Sequence, residues 1–285
     1  MRVSAISSGP TGRRLRAAPS PLALGILLSL LACGDSQSTP SGSLCDDRPI
    51  RIGVASSLRE IAETVTTQLT ADRPTIEIES IYGASSTHAR QLRLGAPFDV
   101  LVSADAELMA SLEDANFIDR VTTREIARGQ LILISRATLE QPAPDSPSET
   151  IFSRGDLRRV AVPSEVVPLG RYARAWLRER NLLKVLDGKI VTTEHARASL
   201  SAVETGHVDL AFAYGSDRRL LRNARFLTEL KAEDYPPIRY VAARTARASG
   251  CGNAGIVLAA WSSPSTQSAL GAAGFVLPTS RAARP

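Results

Sequence analysis

The sequence predicts an α/β protein of two lobes, each a mostly parallel sheet flanked by helices. Two observations favour this class. Short apolar or β-branched segments alternate with longer segments whose apolar residues recur every three or four positions, which is typical of strand–helix–strand units. This alternation occurs twice, and a last strand near residue 238 follows the second series. We therefore expect a discontinuous first lobe at residues 49–130 and 237–285, and a second lobe at residues 131–236.

Residues 1–32 are typical of a secretory signal peptide. Three closely spaced arginines precede an apolar run at residues 22–32, which is too short to remain in a bilayer as a spanning helix. The run leads into Cys33 through a Leu-Leu-Ala-Cys-Gly segment that resembles a bacterial lipobox, in which the cysteine is acylated; ordinary cleavage is the alternative. We expect a periplasmic or otherwise extracytoplasmic protein with a lipid anchor on Cys33.

The net charge is informative only once it is located along the chain. The whole sequence has 34 Lys and Arg against 29 acidic residues, a net charge of +5. Four of the arginines and none of the acids lie in residues 1–32, so signal cleavage leaves 30 basic residues against 29 acidic ones. Because nucleic-acid binding depends on a basic surface, we expect no nucleic-acid partner.

Residues 33–48 are rich in Ser, Asp, Gly and Pro, which predicts a flexible tether. The tether contains Cys45. Once Cys33 is lipidated or removed, Cys45 and Cys251 are the two cysteines left, and this count in an oxidising compartment favours a disulfide between them. Two free thiols are the alternative.

In the first lobe, strands and helices alternate. The predicted elements are a strand at 50–55, a helix after Ser57, a strand at 75–80, a helix ending at Gly95, a strand at 97–102 and a helix capped by residues 103–105. The helix after Ser57 is the clearest, because its apolar residues recur at the spacing of one face packed on a sheet. These residues are Leu58, Ile61, Ala62, Val65 and Leu69.

The second lobe repeats the alternation, and the chain then returns to the first lobe. The predicted elements are a strand at 129–135, a proline-rich loop at 137–150, a strand at 159–163, a helix entered at 167–170, a segment at 189–192, a helix at 194–204, a strand at 208–214, a strand at 238–243 and a helical piece at 263–270. Proline at positions 142, 144 and 147 is why the first of these connections is assigned to a loop.

Two predicted strands end in the same way. Ala55 is followed by Ser56-Ser57 and Ala84 by Ser85-Ser86, and a helix begins at once in both places. Parallel strands carry their ligands at their carboxyl ends, and helix N-termini favour negative charge. The pair therefore predicts a site for a small anion. The alternative is that Ser57 and Ser85 only cap their helices.

Four tracts lie at or near the ends of predicted strands: Val54-Ala55-Ser56-Ser57-Leu58, the segment 83–91 (GASSTHARQ), the segment 95–105 (GAPFDVLVSAD) and Ala213-Tyr214-Gly215-Ser216-Asp217. With these tracts taken together, and over roughly residues 49–280, the sequence resembles the periplasmic molybdate-binding proteins of ABC importers. The resemblance implies a type II periplasmic-binding-protein fold that clamps molybdate, or the similar tungstate, between its lobes. It also implies a membrane permease as partner, and no cofactor. We expect the protein to act as a monomer.

The resemblance also assigns ligand-binding residues. It places hydroxyl donors at Ser57, Ser85 and Tyr214, and backbone N–H donors at Leu169 and Ala196, with no direct bond between protein and metal. Two positions depart from the usual pattern. His88 stands where an apolar residue is usual and would bring a pH-dependent charge near the anion, and Leu169 stands where alanine is common.

Other function classes find little support in the sequence. There is no nucleophile elbow, no phosphate-cradling glycine-rich loop and no metal-binding cysteine spacing, so we expect no enzymatic activity. His88, His195 and His207 lack the spacing of metal ligands. A ligand-sensing half of a transcription regulator would need a helix-turn-helix segment, which we do not find. A receptor for another small anion, such as sulfate or a phosphonate, stays open.

Overall fold

The computed structural model describes residue 45, residues 48–140 and residues 148–278. The predicted signal peptide at 1–32, the predicted lipid site Cys33 and most of the predicted tether lie outside these residues. Within the described part of the chain, no helix has the length and apolar character needed to cross a membrane. Both sheets of the fold belong to one compact unit, Ser41–Pro285.

The described chain contains ten strands and seven α-helices. The strands are β1 (Ile50–Ala55), β2 (Ile78–Gly83), β3 (Val100–Ser103), β4 (Arg124–Gly129), β5 (Leu131–Arg136), β6 (Val160–Pro163), β7 (Ile190–Thr193), β8 (Leu210–Tyr214), β9 (Ala224–Glu229) and β10 (Ile238–Arg244). The helices are α1 (Arg59–Asp72), α2 (Ser85–Arg93), α3 (Ala106–Asp114), α4 (Pro168–Glu179), α5 (Ala196–Glu204), α6 (Gly252–Ala260) and α7 (Pro264–Ala272).

The strands form two five-stranded sheets of the same design. The first sheet has the order β2-β1-β3-β10-β4 and the second the order β7-β6-β8-β5-β9. In each sheet one strand is antiparallel to its neighbours, β10 in the first and β5 in the second. The chain passes from one sheet to the other between β4 and β5 and returns between β9 and β10. The predicted α/β class with two mostly parallel sheets is confirmed.

Helices cover the sheets through apolar faces. In the first sheet Ile50, Ile52 and Val54 of β1 are buried, as are Ile61 and Val65 of α1. In the second sheet the rings of Phe152, Trp176 and Phe212 pack together, with centroids 5.8 to 6.1 Å apart. Burial of such side chains is the main favourable term in folding. It fixes α4, which carries Trp176, against the second sheet.

The secondary structure differs from prediction at several places, among them the second strand and two edge strands. The second strand lies at Ile78–Gly83 rather than 75–80, because its pairing with β1 places Gly83 opposite Ala55 at the same sheet edge. Strands β4 and β9 were not predicted. Both are edge strands that carry charged residues at several positions, so their sequences lack a clear apolar pattern.

The residues at the end of the predicted tether are held to the fold. Cys45 and Cys251 form a disulfide, with their Cα atoms 5.8 Å apart. Both side chains are buried. The guanidinium of Arg48 makes two hydrogen bonds of 2.7 Å to the carboxylate of the buried Asp99. The chain is therefore fixed to the first lobe before β1 begins.

Candidate functional site

A small cavity, partly open to solvent, lies where residues of the two sheets meet. Its lining comes from strand ends and helix starts in both lobes. The lining residues are Ala55, Ser56, Ser57, Gly83, Ala84, Ser85, Ala104, Val167, Pro168, Leu169, Ala196 and Tyr214. All five residues predicted from the sequence as ligand-binding are among them. Their role in binding stays a prediction.

Several helix N-termini converge on this cavity. Helices α2, α4 and α5 begin at Ser85, Pro168 and Ala196, and the 3-10 turn Ser56–Leu58 leads into α1. The first N–H groups of a helix have no acceptor within the helix, and they carry its partial positive charge. None of the described lining residues has a charged side chain. The cavity therefore offers dipoles and hydrogen-bond donors, without a full charge, to a ligand.

Ser85 does not cap its helix, which contradicts the capping alternative. The N-cap of α2 is Ala84, and Ser85 is the first helical residue. Its Oγ accepts a hydrogen bond of 3.0 Å from the backbone N–H of Ala104. Because the oxygen accepts from the protein, the hydroxyl proton is left for a further acceptor.

Ser57 has a similar arrangement. It lies inside the turn Ser56–Leu58, whose N-cap is Ala55, so it is not a cap either. The hydroxyl of Tyr240 lies 3.4 Å from Ser57 Oγ and donates to it in a long hydrogen bond. Ser57 is almost fully buried. Its proton, like that of Ser85, remains available to a ligand in the cavity.

Tyr214 supplies a third hydroxyl. It is the last residue of β8, and its ring meets that of Tyr240 edge to face, with centroids 5.9 Å apart. Burial raises the pKa of Tyr214 well above its usual range, with a further contribution from Tyr240. The phenol is therefore protonated at neutral pH and can act as a donor.

The start of α4 lies unusually close to the preceding loop. A Cβ on Gly170 would stand 2.1 Å from the carbonyl oxygen of Ser164 and 2.3 Å from that of Pro163. Only glycine permits this approach. It brings Pro168 and Leu169, which line the cavity, against the end of β6. The bulkier side chain of Leu169 is buried.

His88 is not one of the described residues lining the cavity. Its ring is buried behind the wall, where a Cβ on Gly83 would meet it at 3.1 Å. Its Nε2 lies 3.1 Å from the carbonyl oxygen of Val54. Burial lowers the pKa of His88 below its usual 6.5, although hydrogen bonds to Gln91 and Val54 oppose this. His88 is therefore neutral at pH 7 and supports the cavity wall.

His195 and Asp217 act as capping residues. The N-cap of α5 is His195, whose Nδ1 accepts a 3.1 Å hydrogen bond from the N–H of Ala198. The buried carboxylate of Asp217 accepts a hydrogen bond of 3.0 Å from the N–H of Tyr214. Neither side chain lines the cavity. Within the described residues, no group of His, Cys, Asp and Glu side chains could hold a metal ion.

A second set of residues around the cavity was not predicted from the sequence. Ala104 directly follows β3, and the rule that located Ser57 and Ser85 at strand ends would also have located it. Tyr172 and Tyr240 gave no local signal. The hydroxyl of Tyr172, on α4, lies 3.3 Å from the carbonyl oxygen of Ala104 and so joins the two lobes.

Arginines of the second lobe also contact the first lobe beside the cavity. Arg171 of α4 contacts the carboxylate of Asp105, the N-cap of α3, at 2.5 Å. Arg197 of α5 contacts both the carbonyl of Ser56 and the carboxylate of Glu60. No spacing in the sequence indicates these pairs, because they form only when the lobes approach each other.

Two α/β lobes that enclose a neutral cavity of helix N-termini define a two-lobed solute-binding protein. Residues 50–276 match the family of bacterial extracellular solute-binding proteins, and the chain belongs to that family. Members of the family bind solutes outside the cytoplasm, so the chain is an extracytoplasmic binding protein and not an enzyme.

Comparison with individual proteins supports the resemblance predicted from the sequence. The molybdate-binding protein ModA of Escherichia coli (strain K12) is 27% identical over 208 residues, which cover 72% of this chain and 80% of the relative. A putative ABC transporter substrate-binding lipoprotein of Bacillus subtilis (strain 168), YvgL, is 26% identical over 219 residues, covering 76% of this chain and 82% of the relative.

A solved structure shows the same fold. The periplasmic molybdate-binding protein of Azotobacter vinelandii matches with a TM-score of 0.71 at 21% identity, covering 81% of this chain and 100% of that protein. The predicted type II periplasmic-binding fold is thus confirmed.

Proposed function

We propose that this protein captures molybdate, or tungstate, between its lobes and delivers it to the membrane permease of an ABC importer. The observation that carries the proposal is the cavity itself, which presents helix N-termini and three hydroxyl donors and no charged side chain among its described lining residues. The similarity to molybdate-binding proteins of other bacteria supports the choice of anion.

The donor set favours a fully deprotonated oxyanion. Ser57 and Ser85 each accept a hydrogen bond from the protein, so both donate into the cavity. Tyr214 is protonated, and Leu169 and Ala196 can contribute N–H groups. An anion that keeps a proton, such as hydrogenphosphate, needs an acceptor, and no carboxylate is among the described lining residues. A buried donor–donor conflict of this kind costs about 1–3 kcal/mol.

Sulfate has the same charge and shape as molybdate, so its rejection has to depend on size. The walls are formed largely by backbone at strand ends and helix starts, and packed backbone adjusts little to a smaller ligand. A smaller anion leaves donors unpaired at roughly 1–3 kcal/mol each. Two such losses correspond to a discrimination of roughly one to four orders of magnitude.

Thermal unfolding tests the proposal. Ligand that binds only the folded protein stabilises it by about 4 kcal/mol at a thousandfold excess over the dissociation constant. Molybdate and tungstate should therefore raise the Tm of ligand-stripped protein clearly, and phosphate and sulfate should leave it nearly unchanged. A larger shift with sulfate or a phosphonate than with molybdate would favour the alternative receptor function.

We further propose that Ser57, Ser85, Leu169, Ala196 and Tyr214 are the ligand contacts and that lobe boundaries fall at residues 130 and 237. We also propose that residues 1–32 are removed and that the part of the predicted tether before Cys45 links the receptor to the membrane, since Cys45 and Arg48 are held to the first lobe. We propose as well that Cys33 carries the lipid and that the receptor works as a monomer. Mass spectrometry of the protein made in a bacterial host tests the anchor. An unmodified N-terminus downstream of Cys33 would contradict it.

A further inference from the structure

Arg197 lies next to the cavity, at the start of α5. It directly follows Ala196, the first residue of α5, whose backbone lines the cavity. Its side chain is only 16% exposed. Arg197 is not itself among the residues that line the cavity, so its charge is available for other contacts.

The guanidinium of Arg197 reaches across to the first lobe. Its Nε donates to the carbonyl oxygen of Ser56 over 3.1 Å, and an Nη donates to the carboxylate of Glu60 on α1. Ser56 lines the cavity and precedes Ser57, one of the proposed ligand contacts. The contact therefore ties the serine turn of the first lobe to the start of a helix in the second lobe.

The same guanidinium is held within its own lobe. Its other Nη lies 3.0 Å from the buried carboxylate of Asp217. The second oxygen of that carboxylate accepts the N–H of Tyr214 at 3.0 Å. Arg197 is thus linked to three proposed ligand contacts. It bonds to Ser56, which precedes Ser57, and it directly follows Ala196 on α5. It also lies against Asp217, which accepts the N–H of Tyr214.

The geometry suits arginine in particular. Its planar guanidinium carries five donors in a fixed arrangement, so it can serve a carbonyl and two carboxylates at once. If the lobes separate, the contacts to Ser56 and Glu60 are lost, whereas the contact to Asp217 lies within one lobe and remains. The charge-assisted bond to Glu60 is therefore specific to the closed arrangement of the lobes.

We propose that Arg197 is a positioning residue that latches the two lobes together and so sets how long the anion stays bound. The inference rests on the proposed function, since it takes the cavity to be the anion site. Arg197 stabilises the closed protein without contacting the ligand. Its loss should therefore speed release of the anion more than it slows capture.

Dissociation rates of molybdate from single variants test the latch. Glu60→Gln removes the partner in the first lobe and leaves the Arg197–Asp217 pair intact, so it avoids an unpaired buried carboxylate. Because Glu60 also lies 3.7 Å from Arg219 of the second lobe, Arg197→Gln is the variant that isolates Arg197. We expect Glu60→Gln and Arg197→Gln to release molybdate about tenfold faster or more, with a smaller change in the association rate. Arg197→Lys should release molybdate at a rate between those of the wild-type protein and Arg197→Gln, because an ammonium cannot reach all three partners.

A matched control separates the latch from a general loss of an ion pair. Arg136 pairs with Asp209 at 2.7 Å, and both residues lie in the second lobe. Arg136→Gln should leave the release of molybdate unchanged. Release at the wild-type rate from Arg197→Gln would overturn the proposal, whatever Glu60→Gln shows, as would an equal acceleration in Arg136→Gln.

Small-angle scattering of the ligand-free proteins distinguishes failure of the latch from failure of the proposed function. If the wild-type protein bound no molybdate, the proposed function would fail, but the latch would still be tested. The Glu60→Gln and Arg197→Gln proteins should be more open than the wild-type and Arg136→Gln proteins. Identical scattering from all four would contradict the latch.

Discussion

The backbone N–H of Ala104 donates to Ser85 Oγ over 3.0 Å, and this contact gives the serine its orientation in the cavity. Ala104 follows β3 and Ser85 follows β2, so the contact joins two strand ends of the first sheet. The oxygen is occupied as an acceptor, and the proton is left to the ligand. The hydroxyl is thus prepared as a donor before any anion arrives.

Replacing Ser85 by alanine should therefore weaken molybdate binding by about tenfold or more, because one donor to a charged ligand is lost and the N–H of Ala104 loses its acceptor. The neighbouring Ser86→Ala is the matched control, since Ser86 lies on the same helix but is not among the described cavity residues. Calorimetric dissociation constants of both variants provide the check. Equal losses in the two would argue against a ligand contact at Ser85.

The Tyr214→Phe variant should bind molybdate more weakly by about tenfold or more, since it removes only the hydroxyl of a residue that lines the cavity and is proposed to donate to the anion. Tyr240→Phe provides a comparison, because Tyr240 donates to Ser57 and is not a lining residue. We expect the Tyr240 variant to lose less affinity. Titration of the two proteins side by side measures the difference, and a larger loss in Tyr240→Phe would contradict the assignment.

The close contact between α4 and the preceding loop predicts that a side chain at Gly170 is not tolerated. A methyl group there would meet two backbone carbonyl oxygens, which cannot move aside as a flexible side chain can. Gly170→Ala should therefore lower the free energy of unfolding by about 1–3 kcal/mol or more and weaken molybdate binding. Gly252→Ala is the control, because a Cβ at that helix start meets open space. Similar denaturation midpoints for the two variants would refute the close contact.

The titration of Asp217 should make the stability of the folded protein depend on pH. Burial raises its pKa to about 6, although Arg197 and the N–H of Tyr214 favour the charged form; Glu60 raises it and Arg219 lowers it. The pKa of Asp217 is thus higher in the folded protein than its unfolded value of 3.8. Protonated Asp217 therefore contributes fully to stability below pH 3.8, and this contribution is lost as the pH rises through about 6.

The difference in unfolding free energy between the wild-type protein and Asp217→Asn measures this contribution. We expect the wild-type protein to lose roughly 1–3 kcal/mol of unfolding free energy relative to Asp217→Asn as the pH rises from about 4 to 7. Titrations of other groups largely cancel in the difference. Denaturant unfolding across that range supplies the values, and a difference independent of pH would rule out a raised pKa.

The disulfide between Cys45 and Cys251 closes a long loop, with a sequence separation of 206. A crosslink of this length restricts the unfolded chain, and its removal should cost roughly 3–5 kcal/mol. Cys251→Ser should lower the denaturation midpoint accordingly. The unreduced wild-type protein, once denatured, should contain no thiol that reacts with a labelling reagent at these two positions, whereas two labelled cysteines would exclude the crosslink.

The predictable part of the structure is the part with a local pattern. The apolar spacing of α1 and the serines after β1 and β2 are contained in short stretches of sequence, and they located Ser57 and Ser85 in one cavity. The edge strands β4 and β9 lack such a pattern. The contacts between the lobes made by Arg197, Asp105 and Tyr172 form only when segments far apart in sequence come together. No local periodicity in the sequence indicates them.

Calorimetric titration of ligand-stripped protein tests most directly whether a neutral, donor-only cavity selects molybdate. Molybdate titrated into protein that already contains excess sulfate should bind with nearly the same apparent affinity as in the absence of sulfate. Sulfate or phosphate titrated alone should give little heat. An apparent molybdate affinity that falls in proportion to the sulfate concentration would contradict this selectivity.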